Sequence, residues 1–410
     1  MSVLEDKKIV LGVTGSIAAY KSCEITRELM RRGAQVQVVM TKNAEKFITP
    51  LTLQTLSGKK AVSDPFDLQW ESEIGHISLA DGADAIVVAP ATASFIGKMA
   101  GAIADTLLGA VILATKAPVV VCPAMNVNMY SNPLVRGNFE KLTGAGVVIV
   151  GPAEGDLACG WEGKGRLSET EEIIAEIERA VAPDDFKGKK LLVTAGASRE
   201  YIDPVRFISN PSTGKMGCAI ARAGWLRGAD VVLVSGAGAG IDLPGMRRVE
   251  AKSVQEMFDV VMENAGDADF VIKAAAVGDY APAKEEKEKI KKTSETMCLQ
   301  LEKTPDILEE VGKSLKKNGR GKKSVVVGFS AETQSIIENS QKKLKKKNAD
   351  MIVANDVSAE GSGFGTDTNQ AVFIKPEGEP QSLPLMTKDA LGHKILDAAL
   401  GIYEGKYDNG

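Results

Sequence analysis

The chain has 410 residues, 44% of them hydrophobic and 25% charged, with a net charge of −4 and a pI near 5.6. That length supports two or three domains of roughly 150 residues each, and the acidic balance excludes a whole-protein field for DNA, RNA or an anionic membrane. Cys23, Cys122, Cys159, Cys218 and Cys298 are scattered without a C-x-x-C pair, which fits neither a disulfide framework nor a zinc site.

The opening residues Met1 to Asp6 show no basic-then-apolar leader, and the most apolar window, Leu107 to Met125, is interrupted by Thr115, Lys116 and Pro118. A cytoplasmic location is therefore expected. The first strand is read in Lys7-Lys8-Ile9-Val10-Leu11-Gly12-Val13-Thr14-Gly15: two lysines, an apolar run too short for a helix, then a phosphate-sized turn. Ile17 to Arg32 carries helical spacing and ends at Gly33, a C-cap signal, before a second strand from Gln35 to Met40. Apolar runs at Ala85 to Ala89, Val119 to Cys122 and Val147 to Val150 alternate with helical stretches, as a parallel sheet covered on both faces requires. A polar, glycine-rich loop from Gly151 to Leu167 follows. Ser168 and Glu171 have capping-box spacing, which predicts a helix from near Glu169 to about Val181. Ala182 to Lys187, with Pro183, Asp184 and Asp185, reads as a linker between domains 1–181 and 188–410.

Gly188-Lys189-Lys190-Leu191-Leu192-Val193-Thr194-Ala195-Gly196 repeats the opening pattern, so the chain starts an α/β sheet twice. Strands are expected at Lys190 to Thr194, Asp230 to Ser235, Phe270 to Ala274, Ser324 to Gly328 and Met351 to Ala354. Helices near Lys215 to Arg227, Val254 to Asn264, Asp306 to Lys317 and Thr333 to Lys347 lie between them, and an edge hairpin and a terminal helix close the tail. The fold class is α/β with two Rossmann-like three-layer domains: a flavodoxin-like parallel sheet first, a nucleotide-binding α/β sheet second.

Neither half carries the full dinucleotide fingerprint. The first turn is Gly12-Val13-Thr14-Gly15-Ser16, and the second strand ends in Thr41 where a ribose-binding acid would stand, which argues against NAD. A Gly-Ser turn at a helix start, with a Thr hydroxyl, suits one phosphate and hence a mononucleotide. His76, one of two histidines, reads first as a loop or cap residue. Cys159, in the glycine-rich loop, is either incidental or an acid donor. Asn126 follows a buried strand, where a terminating turn is the simplest account. The lysine runs Lys284 to Lys292 and Lys342 to Lys347 read either as solvated faces or as phosphate ligands.

In order along nearly the whole chain, several motifs recur together: Gly15-Ser16-Ile17-Ala18-Ala19-Tyr20-Lys21, His76-Ile77, Ala89-Pro90-Ala91-Thr92-Ala93, Pro123-Ala124-Met125-Asn126, Ala158-Cys159-Gly160, Arg206-Phe207-Ile208-Ser209-Asn210, Gly214-Lys215-Met216-Gly217, Lys289-Ile290-Lys291-Lys292 and Ala354-Asn355-Asp356-Val357-Ser358. With them the chain resembles the CoaBC family of bifunctional coenzyme A biosynthesis proteins, in which phosphopantothenoylcysteine decarboxylase is fused to phosphopantothenate–cysteine ligase. The resemblance implies an FMN-binding first half, with Gly15, Ser16, Thr41, Thr92 and Ser94 at flavin-contacting positions. Flavin would take a hydride from the carbon bearing sulfur, the resulting thioaldehyde would lose its carboxylate, and the hydride would return, with no net redox. His76 would assist oxidation and decarboxylation, Asn126 would bind the substrate carboxylate, Cys159 would supply a proton to the enethiol, and the Gly151 to Leu167 loop would clamp the substrate.

The second half resembles the ligase, which uses CTP to convert 4′-phosphopantothenate to an acyl-cytidylate and then joins L-cysteine to give 4′-phosphopantothenoylcysteine. By that resemblance Lys289 offsets charge developing on the triphosphate, with Mg²⁺ sharing it, although no metal ligands are assigned. Asn210 holds the acyl intermediate, Arg206 binds substrate, and Ala275, Asp279, Pro305, Asp306, Phe329, Lys343 and Lys347 match nucleotide-contacting positions. Ser94, Thr213 and Thr304 depart from residues common in relatives. The family implies a homo-oligomer of decarboxylase trimers and ligase dimers. A flavin-binding regulatory or interaction protein on the same scaffold, without turnover, is the competing class.

Overall fold

The computed structural model describes residues 3–63, 75–156, 162–291, 296–319, 323–332, 334–356, 363 and 365–408. Cys159, Lys292, Val357 and Ser358 lie outside the described residues. The chain divides into two compact units, Met1–Ala182 and Pro183–Gly410.

In the first unit five parallel strands lie in the order Gln35–Met40, Lys8–Val13, Ala85–Ala91, Val119–Pro123, Val148–Ile149. Their runs are largely apolar because both faces are covered, with Gln35 and Gln37 on the edge strand and Lys8 at a strand start as the polar exceptions. Ile9, Leu11, Val13, Val36, Val38, Val87 and Val120 feed one buried cluster with Ile25, Leu29 and Ile173. The alternate residues Val10, Val39, Ile86, Val88 and Val121 feed the other, with Phe95, Ile96 and Leu108. The side-chain period of two thus sends successive residues to opposite layers.

The second unit holds an eight-stranded sheet in the order Arg247–Glu250, Asp230–Ser235, Lys190–Ala195, Phe270–Lys273, Val325–Glu332, Met351–Asp356, Ala371–Ile374, Gln381–Ser382. The first six are parallel and the last two antiparallel. The helix Lys215–Leu226 packs against the terminal helix Lys388–Asp408, and the helices Val254–Ala265, Ile307–Lys317 and Ile336–Lys347 contribute to the core that Val271, Ala275 and Ile352 enter. Both sheets present the carboxyl ends of their central strands on one edge, where open α/β sheets bind ligands.

Two sequence expectations change. The helix at the end of the first unit is Thr170–Val181 with Glu169 at its N-cap and no side-chain cap, while the Ser168 hydroxyl is buried without a hydrogen-bond partner. The capping box forms instead at Ser253 and Glu256, which bracket the start of Val254–Ala265. The Gly151 to Leu167 loop contains a hairpin, Ala153–Asp156 paired with Glu162–Arg166. Its glycines make this possible: a Cβ at Gly165 would lie 2.2 Å from the Met125 carbonyl oxygen. Within the second unit Phe186 is fully buried against Phe270, with ring centroids 4.9 Å apart. Asp185 pairs with Arg227, whose guanidinium lies over the Phe186 ring.

Candidate active sites

The first site forms where the strands Lys8–Val13 and Ala85–Ala91 end. Thr14 is 1% exposed, donates its hydroxyl to the Pro90 carbonyl at 2.7 Å and accepts from the Thr92 N–H at 3.0 Å. The hydroxyl next to the turn is therefore spent inside the protein, and ties two strand ends together. Thr92, so placed, caps the helix Ala93–Ala100 by accepting from the Phe95 N–H, and Thr106 caps Leu107–Ala114 likewise. Both helix starts open on one cavity of about 600 Å³. Gly15, Ser16, Thr41, Thr92 and Ser94, the five expected flavin contacts, all line it. A Cβ at Gly15 would lie 2.6 Å from Asn43 Cβ, so the wall closes only around glycine. Helix N-termini, hydroxyls and backbone amides around a space of this size fit a phosphate-bearing mononucleotide such as FMN.

Asn126 and His76 stand apart from that lining. Asn126 follows Ala124 and Met125, which do line the cavity, and its side chain accepts from the Asn128 N–H at 2.8 Å as the cap of Val127–Ser131. Met125 N–H donates to the Gly165 carbonyl at 2.9 Å, so the hairpin on either side of 157–161 is fastened to the Asn126 turn. His76 is the exposed first residue of the helix His76–Gly82 and does not line the cavity.

The second unit repeats the first tie. Thr194, fully buried, accepts from the Ala275 N–H at 3.1 Å, joining Lys190–Ala195 to the loop that leaves Phe270–Lys273. In that loop Asn210 donates to the Ala276 and Val277 carbonyls at 3.2 and 3.0 Å. Thr304 donates its hydroxyl to the Gly278 carbonyl at 2.6 Å, and its N–H to the Asp279 carbonyl at 3.0 Å, which sets Pro305 and Asp306 beside Asp279. Asp306 caps Ile307–Lys317 and accepts from Lys347 at 2.6 Å, and Lys347 also reaches Glu309 at 2.7 Å. Burial opposes the Lys347 charge, yet these two carboxylates raise its pKa above the ordinary value.

Lys273, absent from the sequence expectations, belongs to the same cluster. Burial pushes its ammonium down to about 8, and Lys343 and Lys347 push the same way against the pull of Asp306 and Asp279. The signal was legible: a lysine closes the run Phe270-Val271-Ile272, in a strand buried on both faces. Ala275 is buried and Phe329 half-buried in the neighbouring strand Val325–Glu332. Lys289 lies exposed in the excursion between Tyr280–Pro282 and Leu301–Lys303, which pair antiparallel. The Arg206 guanidinium is engaged by Asp203 and by the Ile290 carbonyl, at 2.8 and 2.6 Å. Among the described residues no group of three or more His, Cys, Asp or Glu could hold a metal ion, and no helix is long and apolar enough to cross a membrane.

Two α/β units, each with strand ends tied by a buried threonine and the first opening on a cavity of about 600 Å³ at those ends, define a two-domain protein of the ligand-binding α/β class. The family profile described as Flavoprotein matches residues 2–182, and that of the DNA/pantothenate metabolism flavoprotein C-terminal domain matches 186–402. The chain is 45% identical to the Coenzyme A biosynthesis bifunctional protein CoaBC of Vibrio vulnificus strain YJ016, covering 97% of this chain and 98% of that one. It is 44% identical to the protein of the same name from Bacillus subtilis, covering 98% and 100%. A solved structure of the C-terminal domain of a CoaBC protein shares 37% identity over 54% of this chain and 99% of its own, with a TM-score of 0.46. The chain belongs to the CoaBC family of coenzyme A biosynthesis bifunctional proteins.

Proposed function

We propose that the second half joins 4′-phosphopantothenate to L-cysteine using CTP, and that the first half decarboxylates the product, 4′-phosphopantothenoylcysteine, to 4′-phosphopantetheine using FMN. The observation that carries this reading is the single cavity gathering Gly15, Ser16, Thr41, Thr92 and Ser94 at two helix starts. Those residues would hold FMN, which when bound supplies reversible hydride acceptance. The hairpin fastened at Met125 covers the Asn126 turn, so that Asn126 would orient the substrate carboxylate at the cavity's edge. His76 and Cys159 take the proton-handling roles by family resemblance.

In the ligase half Lys343, Lys347 and Asp306 would bind the nucleotide around Ala275, Pro305 and Phe329, and Lys289 would offset charge on the triphosphate, with Mg²⁺ sharing that load. The Asn210 amide nitrogen donates to two carbonyls, so its oxygen would be the atom that meets the acyl intermediate and the incoming amine. The family resemblance supports a homo-oligomer, which light scattering measures.

The test has two arms. Purified protein is expected to be yellow and to release CO₂ from 4′-phosphopantothenoylcysteine without added NAD. It is also expected to release pyrophosphate from CTP, with ATP as the comparison, when 4′-phosphopantothenate is present. Lys289→Gln should stop that release, and Asn210→Asp should let the acyl-cytidylate accumulate. A colourless protein that FMN cannot reconstitute rejects the first arm, and unchanged turnover in both variants rejects the second.

A further inference from the structure

Asp203 sits at the turn between Arg199–Tyr201 and Phe207–Ser209 and is fully buried. One carboxylate oxygen accepts the Val205 and Arg206 N–H groups, both at 2.9 Å. The other accepts Arg206 Nε at 3.0 Å and the Ile290 N–H at 3.2 Å. Arg206 in turn donates to the Ile290 carbonyl at 2.6 Å, so both polar groups of the Ile290 backbone are held by this one pair. The Glu286 N–H donates to the Ile202 carbonyl at 3.0 Å, a second stitch four residues earlier. Lys289 lies between those two stitches, on a segment whose side chains are otherwise largely exposed.

An exposed lysine excursion fixed only at its hairpin base would sample many positions, and the ordering cost would fall on each binding event. Here the buried carboxylate, accepting from four N–H donors, holds the backbone next to Lys289 at a fixed place relative to Asn210, which follows the strand Phe207–Ser209. Burial alone would raise the Asp203 carboxyl, but the Val205, Ile290 and Arg206 N–H groups and the Arg206 guanidinium hold it at about 2, so the clamp is fully charged at neutral pH.

We propose that Asp203 is a positioning residue of the ligase, which through Arg206 and the Ile290 backbone sets where the Lys289 ammonium meets the nucleotide phosphates. The inference rests on the ligase reading above. Asp203→Asn preserves shape but turns an N–H toward donors whichever way the amide lies. A misplacement near 1 Å costs about 100-fold in rate, so kcat/KM for CTP in pyrophosphate release should fall by about that factor. KM for cysteine, measured from preformed acyl-cytidylate, should stay within about twofold, and trypsin should cut after Lys289 about tenfold faster as the segment opens. Decarboxylase activity and far-UV circular dichroism of the full chain report the fold, and both should match wild type.

Wild-type CTP kinetics in Asp203→Asn, or equal losses in both half-reactions without faster trypsin cleavage, would overturn the proposal. A wild-type protein that releases no pyrophosphate from CTP removes the ligase reading instead, and is scored before the variant. Should Asp203→Asn not fold, Ile290→Pro removes one donor from the exposed side. The same selective loss in CTP kinetics supports the clamp, and unchanged CTP kinetics overturns it.

Discussion

Replacing Thr14 with valine keeps the side chain's shape at the end of the first strand and deletes its hydroxyl. The Pro90 carbonyl retains the Thr14 N–H at 3.3 Å, but the Thr92 N–H loses its acceptor in a site where Thr14 is 1% exposed. An orphaned buried donor costs about 1–3 kcal/mol and the lost hydroxyl bond about 1 more, for a total of about 2–4 kcal/mol. With an m-value of about 2 kcal/mol/M, the urea midpoint of the first unit should fall by about 1–2 M. Thr92 caps Ala93–Ala100 and lines the cavity, so its drift should also weaken FMN about tenfold, or about 1.4 kcal/mol, in a fluorescence titration. Thr14→Ser keeps both hydrogen bonds and sheds one methyl, about 1 kcal/mol. If the valine variant unfolds no earlier than the serine variant and binds FMN as well, the tie between the strands does not organise the site.

Three further outcomes follow from the same reasoning. Thr194→Val should cost about 1–3 kcal/mol through the orphaned Ala275 N–H and raise KM for CTP, with decarboxylation unchanged. Gly165→Ala would place a Cβ 2.2 Å from the Met125 carbonyl, so the hairpin must shift; decarboxylation should drop by about 100-fold while flavin absorbance and ligase turnover persist. Lys273, held near 8 by burial and by Lys343 and Lys347 against Asp306 and Asp279, loses its charge as pH rises through that value. KM for CTP should therefore climb above pH 8 in the wild type and less steeply in Lys273→Met. Because the folded pKa lies below the ordinary 10.5, this lysine destabilises the unliganded fold below about 8. That penalty fades as pH rises toward 10.5, which pH-dependent unfolding measures.

The central strands of both sheets were legible because each is a short, largely apolar run bounded by polar turns, whereas the edge strand Arg247–Glu250, Arg-Arg-Val-Glu, carries no such run and was not expected. The short pairs Arg199–Tyr201 with Phe207–Ser209 and Tyr280–Pro282 with Leu301–Lys303 were not legible either, since three-residue strands carry no period. Ser168 and Ser253 show how a local rule is overridden. Both precede a Glu by three residues, but Gly151 packs against Ser168, where an added Cβ would lie 2.2 Å from its hydroxyl, and the helix starts without it. The flavin-side residues were assigned by family resemblance, and they gather on one cavity because they stand at or just beyond strand ends that share one edge of the sheet. Asp203 could not, since its role depends on Ile290, 87 residues away.

The repeated threonine explains what the two halves share and where they part. Thr14 and Thr194 each end a central strand and bind the backbone leaving its neighbour, so one device builds both rims. What stands on the rims differs. Around Thr92 hydroxyls, backbone amides and helix starts on rigid elements predominate, with Lys42 beside them and Lys98 already paired to Asp105, a set that favours an anion held for many turnovers. Around Ala275 the donors are lysines, from a strand end and a helix, balanced by Asp279 and Asp306, and Lys289 would join them from the clamped excursion. Point charges on long side chains hold a polyphosphate strongly but yield when its charge divides on cleavage. The first rim is thus suited to a resident cofactor and the second to a nucleotide consumed in each cycle, with Asp203 limiting how far the most exposed of those lysines can wander.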